Sequence, residues 1–401
     1  MAKSSPAPLL DSKDRFLAAL HGWYRVHQRP LPWRTSPSLY RTVVSELMLQ
    51  QTQVATVLPY FDRWLRALPD FAALAAAPEA KVLRLWEGLG YYSRARHLHQ
   101  LAQAVVARPA PPRTPAEWRE LPGIGPYTAA AITSIAFGEP AACVDGNVVR
   151  ILARLTGEAR LFRDGSEAAK HFTPLANALI TSGETGPRLL PGVAESGSFS
   201  PLHQSETLPR SATTRRRSSP RDRELSGRIR AETPATDPGL HNQAMMELGA
   251  TICLRQRPQC PLCPVAEFCA ARHTGTPEKI PRLQPKVIEQ KFVSRIFCLH
   301  RGTLLLRRGH TAARRLAGLY ELPELADVGV LPDEKILLFR KRRAITRYRI
   351  TESIYAVKPT AALRARIAKN PGLEWVPLDD LDQLTLSGPH RRWIGELLAK
   401  P

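Results

Sequence analysis

LPGIGPYTAAAI, residues 121 to 132, sets two glycines one residue apart between a proline and a helical run. Gly123 and Gly125 permit a tight turn, and backbone N–H groups at the start of the following helix can then face a phosphate oxygen. Such a contact reads the shape of a polyanion, not its sequence. Alone, G-x-G is a common turn. The residues downstream narrow its meaning: a helical run and then, about twenty residues past the turn, Asp145 in CVDGNVVRILARL, directly ahead of another helix.

Outward from that hairpin, residues 11 to 180 show apolar positions at helical spacing, as in Phe16, Leu17, Leu20, Trp23 and Tyr24, or Val43, Val44, Leu47, Met48 and Val54. Breaks at Pro59, Pro69, Pro78, Pro115 and Pro122 divide this stretch into helices of ordinary length. Residues 181 to 238 shift to Ser, Thr, Pro, Gly and Arg, with TTRRRSSPRDR at 213 to 223, and read as a disordered insertion. Helical sequence resumes from 239 to 270, with a helix expected over 241–254. The Pro-rich TPEKIPRLQPKV marks 271 to 291 as a linker. From 292 to 401 short alternating segments (FVSRIFCLH, TLLLRR, RYRITESIYAV, LEWVP) and a helix near 390–400 predict an α+β domain.

The chain has 401 residues and a formal charge of +21, enough length for several cores and a balance that attracts polyanions. No run of eighteen apolar residues occurs and the start lacks a secretory core, so a soluble, cytoplasmic protein away from membranes is expected. Four of the six cysteines cluster: Cys253, Cys260, Cys263 and Cys269 lie within seventeen residues as C-x6-C-x2-C-x5-C. Such a loop can wrap one inorganic centre, either zinc or an iron-sulfur cluster. Cys143 and Cys298 stand in apolar surroundings and read as packing residues.

Two carboxylates stand out. Glu46 in VVSELMLQQTQV is flanked by apolar residues, with Gln50 one turn and Gln53 two turns further along the same face. Burial raises a carboxyl pKa and keeps a proton available near neutrality, although a buried structural acid gives the same pattern. Asp145 fits an N-cap, and a helix N-terminus also favours its ionised form.

Together, the cysteine spacing that closes a helical unit, LPGIGPY followed by Asp145, and SELMLQQTQV resemble the helix-hairpin-helix glycosylases of the endonuclease III and MutY type. SELMLQQTQV matches the adenine-removing MutY branch. The resemblance implies one 4Fe-4S cluster on Cys253, Cys260, Cys263 and Cys269, structural or redox-responsive, with Arg255, Arg257 and Gln259 on a loop beside DNA. It implies that Glu46 protonates adenine at N7, that Asp145 stabilises or transiently bonds the sugar cation, and that Tyr127 and Asn147 position Asp145 and the attacking water. Bifunctional relatives carry a Schiff-base lysine where this chain has Tyr127, so strand cleavage should be inefficient.

By the same resemblance, RPLPWR places Arg29, Leu31, Trp33 and Arg34 around a flipped adenine, with Glu247 in that pocket. Gln50, Gln51 and Thr52, with Leu89 and Tyr91 of LGYY, are placed at the DNA, where Gln51, Thr52 and Tyr91 probe the opposite strand, Tyr91 as a wedge. Residues 292 to 401 resemble the MutT-like (Nudix) domain that reads 8-oxoguanine; no Nudix box is visible, so binding without hydrolysis is expected. Where that family often has a Phe-Ser-His loop, this chain has Ile345, Thr346 and Arg347, which retain a hydroxyl and a strong donor. The expected partner is double-stranded DNA with adenine opposite 8-oxoguanine or guanine, bound by a monomer. An endonuclease III-like lyase is opposed by Tyr127 and the appended domain, and a non-catalytic lesion binder by Glu46 and Asp145.

Overall fold

The computed structural model describes residues 7–181, 237–309 and 318–399, so nearly all of the arginine-rich insertion lies outside the described residues. The first part of the chain is helical, apart from a two-residue strand, Leu161–Phe162, and holds two cores. One gathers Leu39–Leu49, Val54–Ala67, Glu79–Trp86, Ser93–Val106 and Pro126–Phe137 around Trp64, Trp86 and Trp118. The other gathers Lys13–His27, Gly146–Thr156, Gly165–Ile180 and Pro238–Thr251, and carries the cysteine run on its flank. A cleft opens between the two.

Local sequence explains how the elements facing that cleft begin and end. Ser38 caps Leu39–Leu49 through its side chain, and every residue from Thr42 to Met48 is buried, as expected of a helix apolar all round. The helix stops at Leu49 because Gln51 adopts a left-handed backbone with φ +57°. Gln53 therefore caps the next helix and does not continue the Glu46 face, a departure from the sequence reading. In the hairpin, Gly123 has φ +79°, and an added Cβ would stand 2.6 Å from His97 Cβ. Gly125, at φ −91°, needs no such freedom and forms the N-cap of Pro126–Phe137, with Pro126 at its first turn.

Four of the five expected proline breaks fall at helix ends, but Pro59 lies inside Val54–Ala67. Both Pro59 and Ala55, four residues earlier, are exposed, so water can satisfy the carbonyl that loses its N–H partner. The helix expected over 241–254 runs Pro238–Thr251. The stretch 271–291 is not a free linker along its length. Arg282–Leu283 pairs in parallel with Leu161–Phe162, Ile280 is buried in the second core, and a strand already begins at Glu289.

The C-terminal part holds two sheets. Glu289–Phe297, Tyr348–Ala356 and Leu337–Ile345 form one, with Tyr348–Ala356 in the middle, parallel to the first and antiparallel to the last. The second joins Leu299–His300, Thr303–Arg308, Tyr320–Glu321 and Leu373–Pro377. The segment RIFCLHRGTLLLRR is thus a hairpin only at its tip, since the chain changes sheets at Cys298. Thr346 and Arg347 form a two-residue hairpin turn, with Thr346 at φ +51° as such a turn requires. The last helix is Gly388–Leu398. The Tyr92 hydroxyl donates to Leu386 O at 2.9 Å, and Arg391 pairs with Glu87, joining this part to the helical part.

Candidate active site

The cleft between the helical cores encloses about 530 Å³ and is lined by Arg29, Leu31, Trp33, Arg34, Glu46, Gln50, Gln51, Thr52, Tyr127, Asp145 and Asn147. Residues from four separate stretches of sequence therefore line one cleft. Glu46 projects from the helix of the first core and Asp145 caps the first turn of a helix of the second.

Glu46 is 7% exposed. Burial raises its pKa to about 7; a hydrogen bond with Tyr127 works in the opposite direction, the Asp145 charge adds to the rise, and Arg34 opposes it. The Tyr127 phenol is held well above its usual range by burial and by Glu46, so it remains a hydrogen-bond donor near neutrality. Asp145 accepts from the backbone N–H of Asn147 and Val148 at 2.9 and 2.8 Å through one oxygen, and from the Asn147 side-chain amide at 2.9 Å through the other. Cap and candidate anion are thus the same group.

Below the cleft, Glu247 is fully buried and receives Arg29 Nε at 2.7 Å and an Arg34 guanidinium nitrogen at 2.8 Å. Burial opposes its ionisation, yet these two arginines hold it below the usual carboxylate range. Glu247 accordingly fixes the two arginines of the wall and does not itself line the cleft.

Gly123 and Gly125 lie outside the cleft on the hairpin, and Thr346 and Arg347 lie on the C-terminal sheet. Tyr91 is 42% exposed with φ +47° beside the buried Leu89. The sequence reading missed the residue that ties these loops together. Arg94 is buried and donates to the carbonyls of Leu47, Met48 and Gln50, to Thr52 Oγ1, and to the carbonyls of Leu89 and Gly90. One guanidinium thereby anchors the end of the Glu46 helix, the Gln51 loop and the Tyr91 loop. Arg150 was also missed, although its place one turn after Asn147 is a local signal. It donates to Asn147 Oδ1 at 2.9 Å and to Cys253 O at 2.7 Å. Gly249 lets this helix pair approach: a Cβ there would stand 2.7 Å from Asn147 Cβ.

Cys253, Cys260, Cys263 and Cys269 are partly buried, whereas Cys143 and Cys298 are buried outright. Burial, with the three other thiols of the run, pushes Cys263 up to about 12, and burial with Cys253 and Cys260 raises Cys269. Four neighbouring thiols ionise together only beside a cationic counterpart. Among the described residues no three Cys, His, Asp or Glu side chains converge as they would on a single metal ion. Arg154 donates to Cys253 Sγ at 3.3 Å.

Residues 44–174 match the family model described as HhH-GPD superfamily base excision DNA repair protein. The adenine DNA glycosylase of Mycobacterium tuberculosis (strain CDC 1551 / Oshkosh) is 34% identical over 262 residues, covering 64% of this chain and 68% of that protein. The chain belongs to the adenine DNA glycosylase family. The human family member is 36% identical over 278 residues, covering 66% of this chain and 41% of its own length. That of Schizosaccharomyces pombe is 35% identical over 280 residues, covering 64% and 49%. The chain thus spans about two fifths of the length of the mammalian family members that it matches.

Proposed function

We propose that this chain is a monofunctional glycosylase that hydrolyses the N-glycosidic bond of adenine paired with 8-oxoguanine or guanine in duplex DNA. The observation that carries this reading is the pairing of Glu46, with a pKa near 7, and the capped Asp145 on opposite cores of one cleft. Adenine must leave the stack to enter it. Glu46 then gives its proton to N7 as the C1′–N9 bond breaks, and the bond's electron pair leaves with the base. Asp145 opposes the positive charge that develops on the sugar, as a carboxylate does in glycoside hydrolysis. Tyr127 and Asn147 orient the two acids. Water adds to C1′ and its proton goes to the Glu46 carboxylate, restoring the acid.

Tyr127 stands where a lyase needs an amine, and a phenol forms no Schiff base, so the reaction stops at the abasic sugar. Gln51, Thr52, Leu89 and Tyr91 contact the strand facing the adenine, while Thr346 and Arg347 of a MutT-like domain read its damaged guanine. Cys253, Cys260, Cys263 and Cys269, a donor set of four thiols, would hold a 4Fe-4S cluster, which would cross-link the loop and stabilise the fold. The reading includes a monomer that works on intracellular DNA; among the described residues no helix is long and apolar enough to cross a membrane.

Single-turnover assays on duplexes with adenine opposite 8-oxoguanine, adenine opposite guanine, and thymine glycol opposite adenine test this. Release of adenine from the first two is expected; action on thymine glycol alone overturns it.

A further inference from the structure

We propose that the outward face of the three-stranded C-terminal sheet is a track for the phosphate backbone of duplex DNA, separate from the cleft and from the lesion-reading turn. Paired residues in a sheet share a face, so the register fixes what stands together. Arg342, Thr351 and Phe292 form one row across the three strands, and Ala344, Arg349 and Gln290 form the next. Arg340 lies in the row on the other side, beside Ser353 and Ser294. The three arginines are exposed, and Phe292 is 80% exposed.

The two faces of this sheet use arginine differently. Inward, Arg295 and Arg343 are both bound to Glu352. Outward, none of these rows holds a carboxylate; Arg340 pairs with Glu334 from a neighbouring turn, while Arg342 and Arg349 have no ion-pair partner among the described residues. Arg342 and Arg349 are diagonal neighbours on adjoining strands, within reach of each other's charge, and a bound polyanion relieves that repulsion. Arginines two residues apart on a strand, as Arg340 and Arg342 are, stand roughly 6.6 Å apart, and charges spread over three rows suit successive phosphates better than a single anionic group. Phe292, at the far end of the Arg342 row on the opposite edge strand, offers an apolar surface for a deoxyribose.

Continuity selects DNA over another acidic partner. Thr346 and Arg347 directly join the two arginine-bearing strands, so a duplex read at the turn runs onto this face. The inference rests on the reading of the chain as a DNA glycosylase.

The test is binding of the full chain to a 30-base-pair undamaged duplex, and to the same duplex with adenine opposite 8-oxoguanine, between 50 and 200 mM salt. For the double variant Arg342→Gln/Arg349→Gln, affinity should fall on the order of 10-fold for both duplexes, and the slope of log K against log salt should drop by about 2. The double variant Arg342→Lys/Arg349→Lys should restore most of the slope. An unchanged slope, or a loss confined to the damaged duplex, overturns the proposal, as does loss of binding to an acidic peptide with DNA binding intact. Equal thermal melting of the variants separates these outcomes from misfolding. If the native chain releases no adenine yet the slope still drops, the glycosylase reading fails and the track stands.

Discussion

Glu46 in the helical cleft and Glu352 in the C-terminal sheet are 7% and 0% exposed, yet their surroundings treat them in opposite ways. Glu352 receives Arg295 Nε at 2.6 Å and Arg343 Nε at 2.7 Å, so its charge is matched on both sides. Glu46 has a phenol beside it, a second carboxylate across the cleft and Arg34 only as a weaker influence. Burial alone therefore does not mark a reactive acid. What marks it is burial without enough cation to hold the charge, which leaves a proton in place near pH 7. Glu247 makes the same point below the cleft, since Arg29 and Arg34 hold its carboxyl under the usual range despite its burial.

The most forceful way to break this comparison is Glu46→Gln. Loss of the proton donor should slow single-turnover adenine release by about 10²- to 10⁴-fold while lesion binding persists; release at the native rate would place the acid elsewhere. Next, Glu352→Ala leaves the buried Arg295 with only the longer Glu321 contact and the part-buried Arg343 without its carboxylate, and should lower stability by about 3 kcal/mol, read from the urea midpoint. A cost below about 1 kcal/mol would mean that this pair is not the matched site described.

A smaller effect runs in the other direction. The folded pKa of Glu46 lies above its unfolded value near 4.5, so its contribution to stability is full below about pH 4.5 and is lost as pH rises through about 7. At pH 8 the native fold holds an ill-matched carboxylate that Gln does not carry. Glu46→Gln should thus be more stable than the native chain there by up to about 3 kcal/mol, with the difference vanishing near pH 4. Parallel melts across that range decide it.

The finest test concerns the pH profile of base release, which should fall as pH rises through about 7 because the protonated acid is the active form. The Tyr127 hydrogen bond lowers the Glu46 pKa, so Tyr127→Phe should move the midpoint of that fall to higher pH. A midpoint that stays put or moves down would assign the low-pH preference to another group.

These carboxylates were legible in the sequence because their signals are local. Glu46 sits in an apolar helix, Asp145 precedes a helical run, and the cysteine spacing needs only counting. Arg94 was not legible, since its acceptors lie at Leu47 to Thr52 and at Leu89 and Gly90, which only the fold brings together. The end of the Glu46 helix was hidden because Gln50 and Gln51 have good helix propensity, and only the left-handed backbone of Gln51 stops it. The strand Leu337–Ile345 escaped notice because its alternation is of exposed and half-buried residues, with arginine and lysine on both faces. TPEKIPRLQPKV reads as a spacer by composition, yet Ile280 within it is a core residue.

Tyr91 and Tyr92 share one peptide plane and face opposite duties. Tyr91 points outward from a left-handed backbone, and the Tyr92 hydroxyl grips Leu386 in the other part of the molecule. On the proposed reading, a strand that pushes Tyr91 aside would act on that grip through one peptide unit, and a duplex drawing the C-terminal part would act on Tyr91 in return. Any resulting coupling of affinities is equal in both directions. Tyr91 thus stands between the two anchors of the C-terminal part, Glu87 on one side and Tyr92 on the other.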